Sequence, residues 1–378
     1  HTPPLPPPPP PPISSSSSTP CLPCRRLSQQ LWRSSLATAS RLRVHLWSNG
    51  TWKSPREIQL VKTGWLKHRR VQMVESPHNA ELIVWISTRS RLETEVVPPG
   101  LAPVVLLDYA DGCTIHQYRG QLGNREVGYF KRSWMQRRDG IAVRRCTNDS
   151  TVQTFAYSGG VATEPYGPQD SVGYGAGPRY YTIVSTLRTS EGESAQVMKQ
   201  VHSRRGIIAS WTLEFVRSRQ LKAHIGALHN DRSKISGYHP GPVYLSLIAN
   251  ASIVVTANPA QWEGDFRLWE ALLSGACVFV DKMEILKHLP HPPVHRRHLV
   301  EYDPSDKEAF LALLQEFVEK PALARRIGRA GRHLVLTHHM PVDRADYILS
   351  HIPVRRHSQS SPNKRFWTEM RSSEGHTY

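Results

Sequence analysis

The sequence predicts an α/β protein with two parallel sheets, each covered by helices. Three observations support this prediction: short strands that are apolar throughout, helical segments between them, and a glycine- and proline-rich stretch near the middle of the chain. Continuously apolar strands are typical of parallel sheets, because helices bury both faces. Alternation of strand and helix over 378 residues predicts two doubly wound, Rossmann-like domains.

Composition divides the chain into four segments. Residues 1–40 are rich in proline and serine, which predicts a polyproline II tail without a core of its own. Residues 41–175 and 176–352 are predicted to form the two Rossmann-like domains, with the boundary within the glycine- and proline-rich stretch 159–178. Residues 353–378 are polar, basic and aperiodic and are predicted to be a second tail.

Seven segments of the sequence predict strands. They are Leu42–Trp47, Leu82–Ser87, Val104–Asp108 and residues 127–131 in the first half, and residues 181–186, residues 253–257 and Cys277–Asp281 in the second. The helices are clearest late in the chain. Lys307–Glu319 has apolar side chains at helical spacing and is followed by Pro321.

The charge balance favours anionic partners. Lysine and arginine number 48 and aspartate and glutamate 31, so the net charge is 48 − 31 = +17. Nucleic acid, an acidic glycan, a phosphorylated ligand and a membrane surface all fit such a charge. The charge is spread along the chain without a basic tail or a base-reading helix, so a nucleic-acid partner is not predicted.

Residues 252–283 predict a strand, a loop, a helix and a second strand. Gly264 offers a permissive turn, Asp265 an N-cap for the helix Phe266–Leu273, and Gly275 a helix end. Loops at the carboxyl ends of parallel strands bind ligands in open α/β sheets. The free amides and positive dipole end of a helix N-terminus suit a phosphate.

Arg267 and Glu270 are three residues apart, so both lie on one face of this helix near its N-terminus. An arginine there can hold a diphosphate through its planar guanidinium group, and a carboxylate one turn later can accept hydrogen bonds from the two hydroxyls of a ribose. The alternative is an ordinary surface salt bridge between the two side chains.

The segment DFRLWEALLSGACVFVDKM (265–283) resembles the nucleotide-sugar-binding half of GT-B-type glycosyltransferases. With WEGD at 262–265, RL at 267–268 and EAL at 270–272, it is most similar to the CgeB-like, spore-maturation-protein type of this group. It also resembles exostosin-type transferases through Arg267, Glu270 and the GAC run at 275–277. Later runs, RRIGRAG at 325–331 and RADYIL at 344–349, are similar to the C-terminal end of CgeB-like proteins.

The resemblance implies a GT-B-like fold in which residues 176–352 bind a nucleoside-diphosphate sugar and residues 41–175 bind the acceptor. It assigns donor binding to Gly264, Asp265, Arg267 and Glu270, and a catalytic role to Glu263. Glu263 and Glu270 flank six residues, whereas the wider retaining GT-B group has seven between its two glutamates.

Two strand ends in the first half carry chemically useful side chains. Asp108 and Asp111 follow one strand and are candidates for a catalytic base, while Lys131 and Arg132 end the next strand and are candidates for holding the donor's diphosphate. If the two strands are parallel neighbours, their ends face one cleft. A structural ion pair between the two strand ends is the alternative.

The sequence therefore predicts a metal-independent glycosyltransferase that moves a sugar from a nucleoside-diphosphate sugar to a hydroxyl of a glycan or glycoprotein. No metal site and no cofactor beyond the donor substrate are predicted; the histidine-rich loop at 288–298 has no fixed ligand geometry. Two alternatives stay open. One is another enzyme class on the same fold, such as a nucleotide-sugar epimerase or a phosphate-handling hydrolase, and the other is a non-catalytic module that binds acidic polymers.

Location is indicated only by three N-x-[ST] sequons, at Asn49, Asn148 and Asn250, the last in a segment predicted to be core. They favour the Golgi or secretory lumen over the cytoplasm. No apolar run is long enough to span a bilayer. The sequence begins at His1 rather than Met, so a membrane anchor upstream is left open.

Overall fold

The computed structural model describes ten segments of the chain. They are residues 41–48, 55–87, 96–109, 115–132, 151–155, 179–187, 198–226, 242–258, 264–283 and 289–353. The predicted domain boundary at 159–178 lies outside these residues. So do the two predicted tails, with the exception of Pro353.

The first half of the described chain forms a six-stranded sheet in which all neighbouring strands are parallel. Its order is β2-β1-β3-β4-β5-β6. The strands are β1 (Leu42–Trp47), β2 (Val71–Met73), β3 (Leu82–Ser87), β4 (Val104–Asp108), β5 (Glu126–Arg132) and β6 (Val152–Phe155), and the helices are α1 (Pro55–Lys67) and α2 (Arg119–Leu122).

The second half forms a five-stranded parallel sheet, ordered β11-β10-β9-β7-β8. The strands are β7 (Tyr181–Ser185), β8 (Ala223–Ile225), β9 (Ala251–Val255), β10 (Cys277–Asp281) and β11 (Val300–Tyr302). The helices are α3 (Met198–Ser218), α4 (Pro242–Ala249), α5 (Phe266–Leu273), α6 (Lys307–Glu319), α7 (Pro321–His338) and α8 (Pro341–His351).

These two sheets confirm the predicted α/β class and the parallel strands. β1, β3, β4 and β10 have the predicted bounds, and so do α5 and α6. β9 lies two residues earlier than predicted, at Ala251–Val255 rather than 253–257. This shift also corrects the prediction for Asn250, which is exposed at the turn before β9 because the buried strand begins at Ala251.

The last described helix, α8, joins the two halves. It packs against α1 and β5 of the first half, although it follows the second sheet in the chain. The close approach requires Gly64 on α1, where a Cβ atom would clash with the backbone carbonyl of Pro341. His68 is buried beside it, and its Nε2 lies 2.8 Å from Oδ1 of Asp346. One apolar cluster therefore contains residues of both sheets.

Helix α7 is held against the second sheet by two glycines on its buried side. A Cβ atom on Gly328 would clash with the carbonyl oxygen of Gly275, and one on Gly331 with that of His298. None of the described helices is long and apolar enough to cross a membrane.

Gly328→Ala should destabilise the protein by about 1–3 kcal/mol, because the added methyl meets backbone atoms that cannot rotate away. The control is Gly206→Ala on α3, where a Cβ atom has no neighbour within 4 Å. That change should stabilise by about 0.8–1 kcal/mol through helix propensity. Urea unfolding of both variants checks the pair; equal stability changes would show that α7 is not docked this closely.

Candidate active site

The carboxyl edge of the second sheet brings polar side chains from β9, β10 and α5 together. Asn258, just beyond β9, donates from its backbone N and from Nδ2 to Oδ1 of Asp281 at the end of β10, at 2.8 and 2.9 Å. Its Oδ1 accepts from the backbone N of Gly264 at 2.9 Å. Asn258 therefore fixes the turn that precedes α5.

The start of α5 has the predicted geometry. Gly264 has a φ of 68°, a left-handed conformation that glycine adopts without strain. Asp265 is the N-cap, and its Oδ1 accepts from the backbone N of Leu268 at 3.3 Å. Gly275, with a φ of 74°, follows the end of the helix. The N-cap carboxylate thus accepts a hydrogen bond from one of the backbone amides at the helix N-terminus.

Two arginines converge on the other oxygen of this carboxylate. Arg205 of α3 donates to Oδ2 of Asp265 at 2.9 Å, and Arg267 donates to the same oxygen at 2.8 Å. Burial would raise the pKa of Asp265, but the neighbouring charges of Arg267 and Arg205 lower it below its ordinary value. The Asp265 carboxylate therefore stays ionised between two guanidinium groups.

A third arginine, Arg204, lies beside Asp281, with Nη1 3.6 Å from Oδ2. Arg204, Arg205 and Arg267 bring three positive charges to this edge, against the two carboxylates of Asp265 and Asp281. The sequence analysis named only Arg267 of these arginines. The adjacent pair Arg204-Arg205 was the signal that could have found the others.

Glu270 lies deeper, one turn into α5. It is 4% exposed, and its Oε2 accepts from the hydroxyl of Tyr244 on α4 at 3.0 Å. Tyr244 is itself 1% exposed. Arg267 pairs with Asp265, so it has a carboxylate partner other than Glu270.

At the carboxyl edge of the first sheet, Asp108 and Lys131 stand opposite each other on the parallel neighbours β4 and β5. Lys131 Nζ donates to Asp108 Oδ2 at 3.1 Å, both side chains are fully buried, and the Tyr129 hydroxyl donates to the same oxygen. The neighbouring Arg132 donates from Nε to the carbonyl of Tyr109 at 3.2 Å. The structure therefore contains the ion pair that the sequence offered as an alternative.

A buried histidine extends this arrangement. His116 Nε2 lies 2.9 Å from the hydroxyl of Ser87 at the end of β3, and its backbone N donates to the Tyr129 hydroxyl at 3.1 Å. His116 is 2% exposed. The ends of β3, β4 and β5 are thus linked by one chain of polar contacts, which the sequence analysis did not identify.

The structure brings the predicted site residues into two groups. Gly264, Asp265 and Arg267 lie together at the start of α5, with Glu270 one turn further along it. Asp108, Lys131 and Arg132 lie at the edge of the first sheet. Asp111 and Glu263 are outside the described residues. The catalytic and donor-binding roles of all these residues stay predictions.

The described histidines of the 288–298 loop make local contacts. His298 Nδ1 accepts from the backbone N of Val294 at 3.0 Å, and His295 Nδ1 accepts from that of Glu301 at 2.9 Å. The ring of His291 stacks on His338 with 3.8 Å between centroids. These contacts join the described part of the loop to itself, to β11 and to the end of α7.

Solved structures with a related chain path share little sequence with this one. HepE (Alr3699) of Anabaena in complex with UDP and glucose is 10% identical, with a TM-score of 0.48 over 82% of this chain and 98% of that one. A glycosyltransferase from Rickettsia africae is 10% identical, with a TM-score of 0.47 over 84% and 100% of the two chains. Sucrose-phosphate synthase from Thermosynechococcus elongatus is 11% identical, with a TM-score of 0.41 over 82% and 98%.

The match to a family model lies in the second half of the chain. No curated protein matches the chain. Residues 204–350 match the family model described as "Glycosyl transferase-like". This segment begins at Arg204, contains β8 to β11 and reaches into α8. The part of the chain that holds Arg204, Arg205, Asp265, Arg267 and Glu270 is therefore glycosyl transferase-like in sequence.

Proposed function

We propose that the protein is a GT-B-like glycosyltransferase that moves a sugar from a nucleoside-diphosphate sugar to a hydroxyl of a glycan or glycoprotein. The donor binds at the carboxyl edge of the second sheet and the acceptor against the first half of the chain. The finer assignment to the CgeB-like group, with exostosin-like similarity, is part of this proposal and rests on the motifs at 262–277 and 325–349.

One observation carries the proposal: three arginines lie at the carboxyl edge of the second sheet, inside the glycosyl transferase-like segment. Arg205 and Arg267 contact Asp265 at the start of α5, and Arg204 lies beside Asp281 at the end of β10. The side chains of Arg204 and Arg267 are 17% and 13% exposed, so both reach the surface of the edge. A diphosphate offers the same kind of acceptor oxygens as the Asp265 carboxylate, with more charge. It can share or replace Asp265 as the partner of Arg267.

Glu270 is proposed to bind the donor's ribose, with Tyr244 holding its carboxylate in place. Glu270→Gln should weaken nucleoside-diphosphate binding by about 1.5–3 kcal/mol, because a neutral amide replaces a charged acceptor. Isothermal titration with UDP and GDP measures the loss. Unchanged affinity together with a lower melting temperature would make Glu270 a structural partner of Tyr244 only.

For the chemical step we propose that Asp111 and Glu263 contact the substrates. Asp108 and Lys131 are fully buried and paired with each other, so we propose that they position the edge of the first sheet rather than touch the acceptor. Arg132, at the same edge, is 4% exposed and is proposed to act on the donor's diphosphate when substrate binds. The cations of the two edges would stabilise the departing diphosphate without a metal.

The deciding experiment is product analysis with labelled nucleoside-diphosphate sugars and a panel of glycan acceptors, with and without excess EDTA. Transfer of label to an acceptor supports the proposal, whereas isomerised donor would indicate an epimerase. Nucleotide binding without any turnover would indicate a non-catalytic binding module. Loss of transfer in EDTA and its recovery with Mn²⁺ or Mg²⁺ would overturn metal independence while leaving the fold and donor site intact.

A further inference from the structure

Helix α7 displays a row of basic side chains along its solvent face. Arg325, Arg326 and Arg329 are exposed, as is His333 one turn later. At 3.6 residues per turn these four positions fall within about a third of the helix circumference. The opposite side packs into the protein through the buried residues Ala324, Ile327, Gly328, Gly331, Leu334 and Val335.

This face lacks a counter-charge of its own. The sequence of α7, PALARRIGRAGRHLVLTH, contains four arginines and no aspartate or glutamate. By contrast, two other exposed cations, Arg296 and Lys320, both pair with Glu316. Among the described residues, no ion pair involves Arg325, Arg326 or Arg329.

The row is also held rigidly. Gly328 and Gly331 let the helix backbone lie directly against the backbone of Gly275 and His298, so α7 is closely docked on its buried side. Arg325 and Arg329 are one turn apart, which places their Cβ atoms about 6 Å from each other. The helix backbone fixes the spacing of these side chains, so their guanidinium groups complement a linear chain of anionic groups.

We propose that the exposed face of α7, formed by Arg325, Arg326, Arg329 and His333, is a binding surface for an acidic glycan chain. The choice of a glycan over other polyanions rests on the proposed function, since a transferase that extends or decorates a glycan has to hold one. The face itself offers no aromatic ring on which nucleic-acid bases could stack. It also has a single exposed large apolar side chain, Leu336, which is too little for insertion into a membrane.

The test compares two triple variants of the full chain that remove the same charge. Arg325→Gln/Arg326→Gln/Arg329→Gln changes the row, and Lys62→Gln/Lys67→Gln/Arg217→Gln changes three exposed cations on α1 and α3. Either set lowers the net charge from +17 by three units, to 17 − 3 = +14. Heparin oligosaccharides are the probe. Their binding is measured between about 50 and 200 mM salt, because contacts between charged groups weaken over this range.

The α7 variant should bind heparin about tenfold or more weakly, with a shallower salt dependence, because three charge-assisted contacts are lost. The control variant should change affinity less than about twofold. Equal weakening by both variants, or no heparin binding by the parent protein, overturns the proposal. Tighter binding to single-stranded DNA or to phosphatidylserine vesicles, abolished by the same three changes, overturns the choice of glycan.

Nucleoside-diphosphate affinity provides the separate readout for the donor site, which contains none of the substituted residues. It should be the same in the parent protein and both variants. If donor binding fails in all three while heparin binding still depends on α7, the proposed function fails and the polyanion surface stands. Melting temperatures within a few degrees of the parent confirm that each variant is folded.

Discussion

Lys131→Met should lower the free energy of unfolding by about 3–5 kcal/mol, the largest loss that we expect from a single change in the first half of the chain. Lys131 and Asp108 are both fully buried, 3.1 Å apart, at the carboxyl ends of β5 and β4. Removing the ammonium group leaves the buried carboxylate of Asp108 without the positive charge of Lys131. Urea unfolding measures the change, and Lys62→Met on the exposed face of α1 should cost no more than about 0.5 kcal/mol.

The double variant Asp108→Asn/Lys131→Met separates an ion pair from two independent contributions. An asparagine oxygen can still accept from the Tyr129 hydroxyl, so the double variant should recover most of the stability lost by Lys131→Met. Additive losses would show that the two charges do not depend on each other. A stable double variant that has lost all transfer activity, with donor binding intact, would give the pair a direct role in catalysis.

Between pH 6.5 and about 3, His339 alone should lower the free energy of unfolding by about 1.4 kcal/mol for each unit by which the pH falls. Burial and the neighbouring charge of Arg344 lower the pKa of His339 from 6.5 to about 3. Its Nδ1 accepts from Arg344 at 3.0 Å and its Nε2 donates to the carbonyl of His291 at 2.8 Å, an arrangement that requires the neutral ring. Protonation would place an imidazolium against a guanidinium that is itself buried.

The sign follows from proton binding. Between pH 6.5 and about 3 the unfolded chain binds a proton at His339 that the native protein does not. Stability from this residue is therefore complete above pH 6.5 and is lost as the pH falls toward 3. His339→Gln should be less stable at pH 7 but lose stability less steeply between pH 7 and 5. Identical slopes for the two proteins would show that His339 is not neutral in the native state.

Regular secondary structure could be predicted from local sequence because the signals are local. β3, β4 and β10 are apolar at almost every position, and the structure buries them completely. The N-cap at Asp265 and the glycine at 275 marked α5 to the residue. β2, β6, β8 and β11 were not predicted, because strands of three or four residues at a sheet edge are too short to show a periodicity.

The candidate site was less predictable, because its contacts join residues that are far apart in the chain. Arg267 and Glu270 were correctly placed on one helix, but the partners of that helix come from elsewhere: Arg205 from α3 and Tyr244 from α4. No spacing along the sequence links Arg205 to Asp265. Similarly, α8 returns to α1, where Asp346 meets His68 across 278 positions of chain.

The α/β class, the positions of most long elements, the α5 turn and the charge balance could all be predicted from the amino-acid sequence, since each depends on neighbouring residues or on composition. The buried pair of Asp108 and Lys131, the three arginines at one sheet edge and the packing of α8 on the first half became visible in the folded structure. Parallel strands place residues from distant segments of the chain at one edge of a sheet. The ionisation and exposure of a side chain there depend on the neighbouring side chains, which come from those other segments.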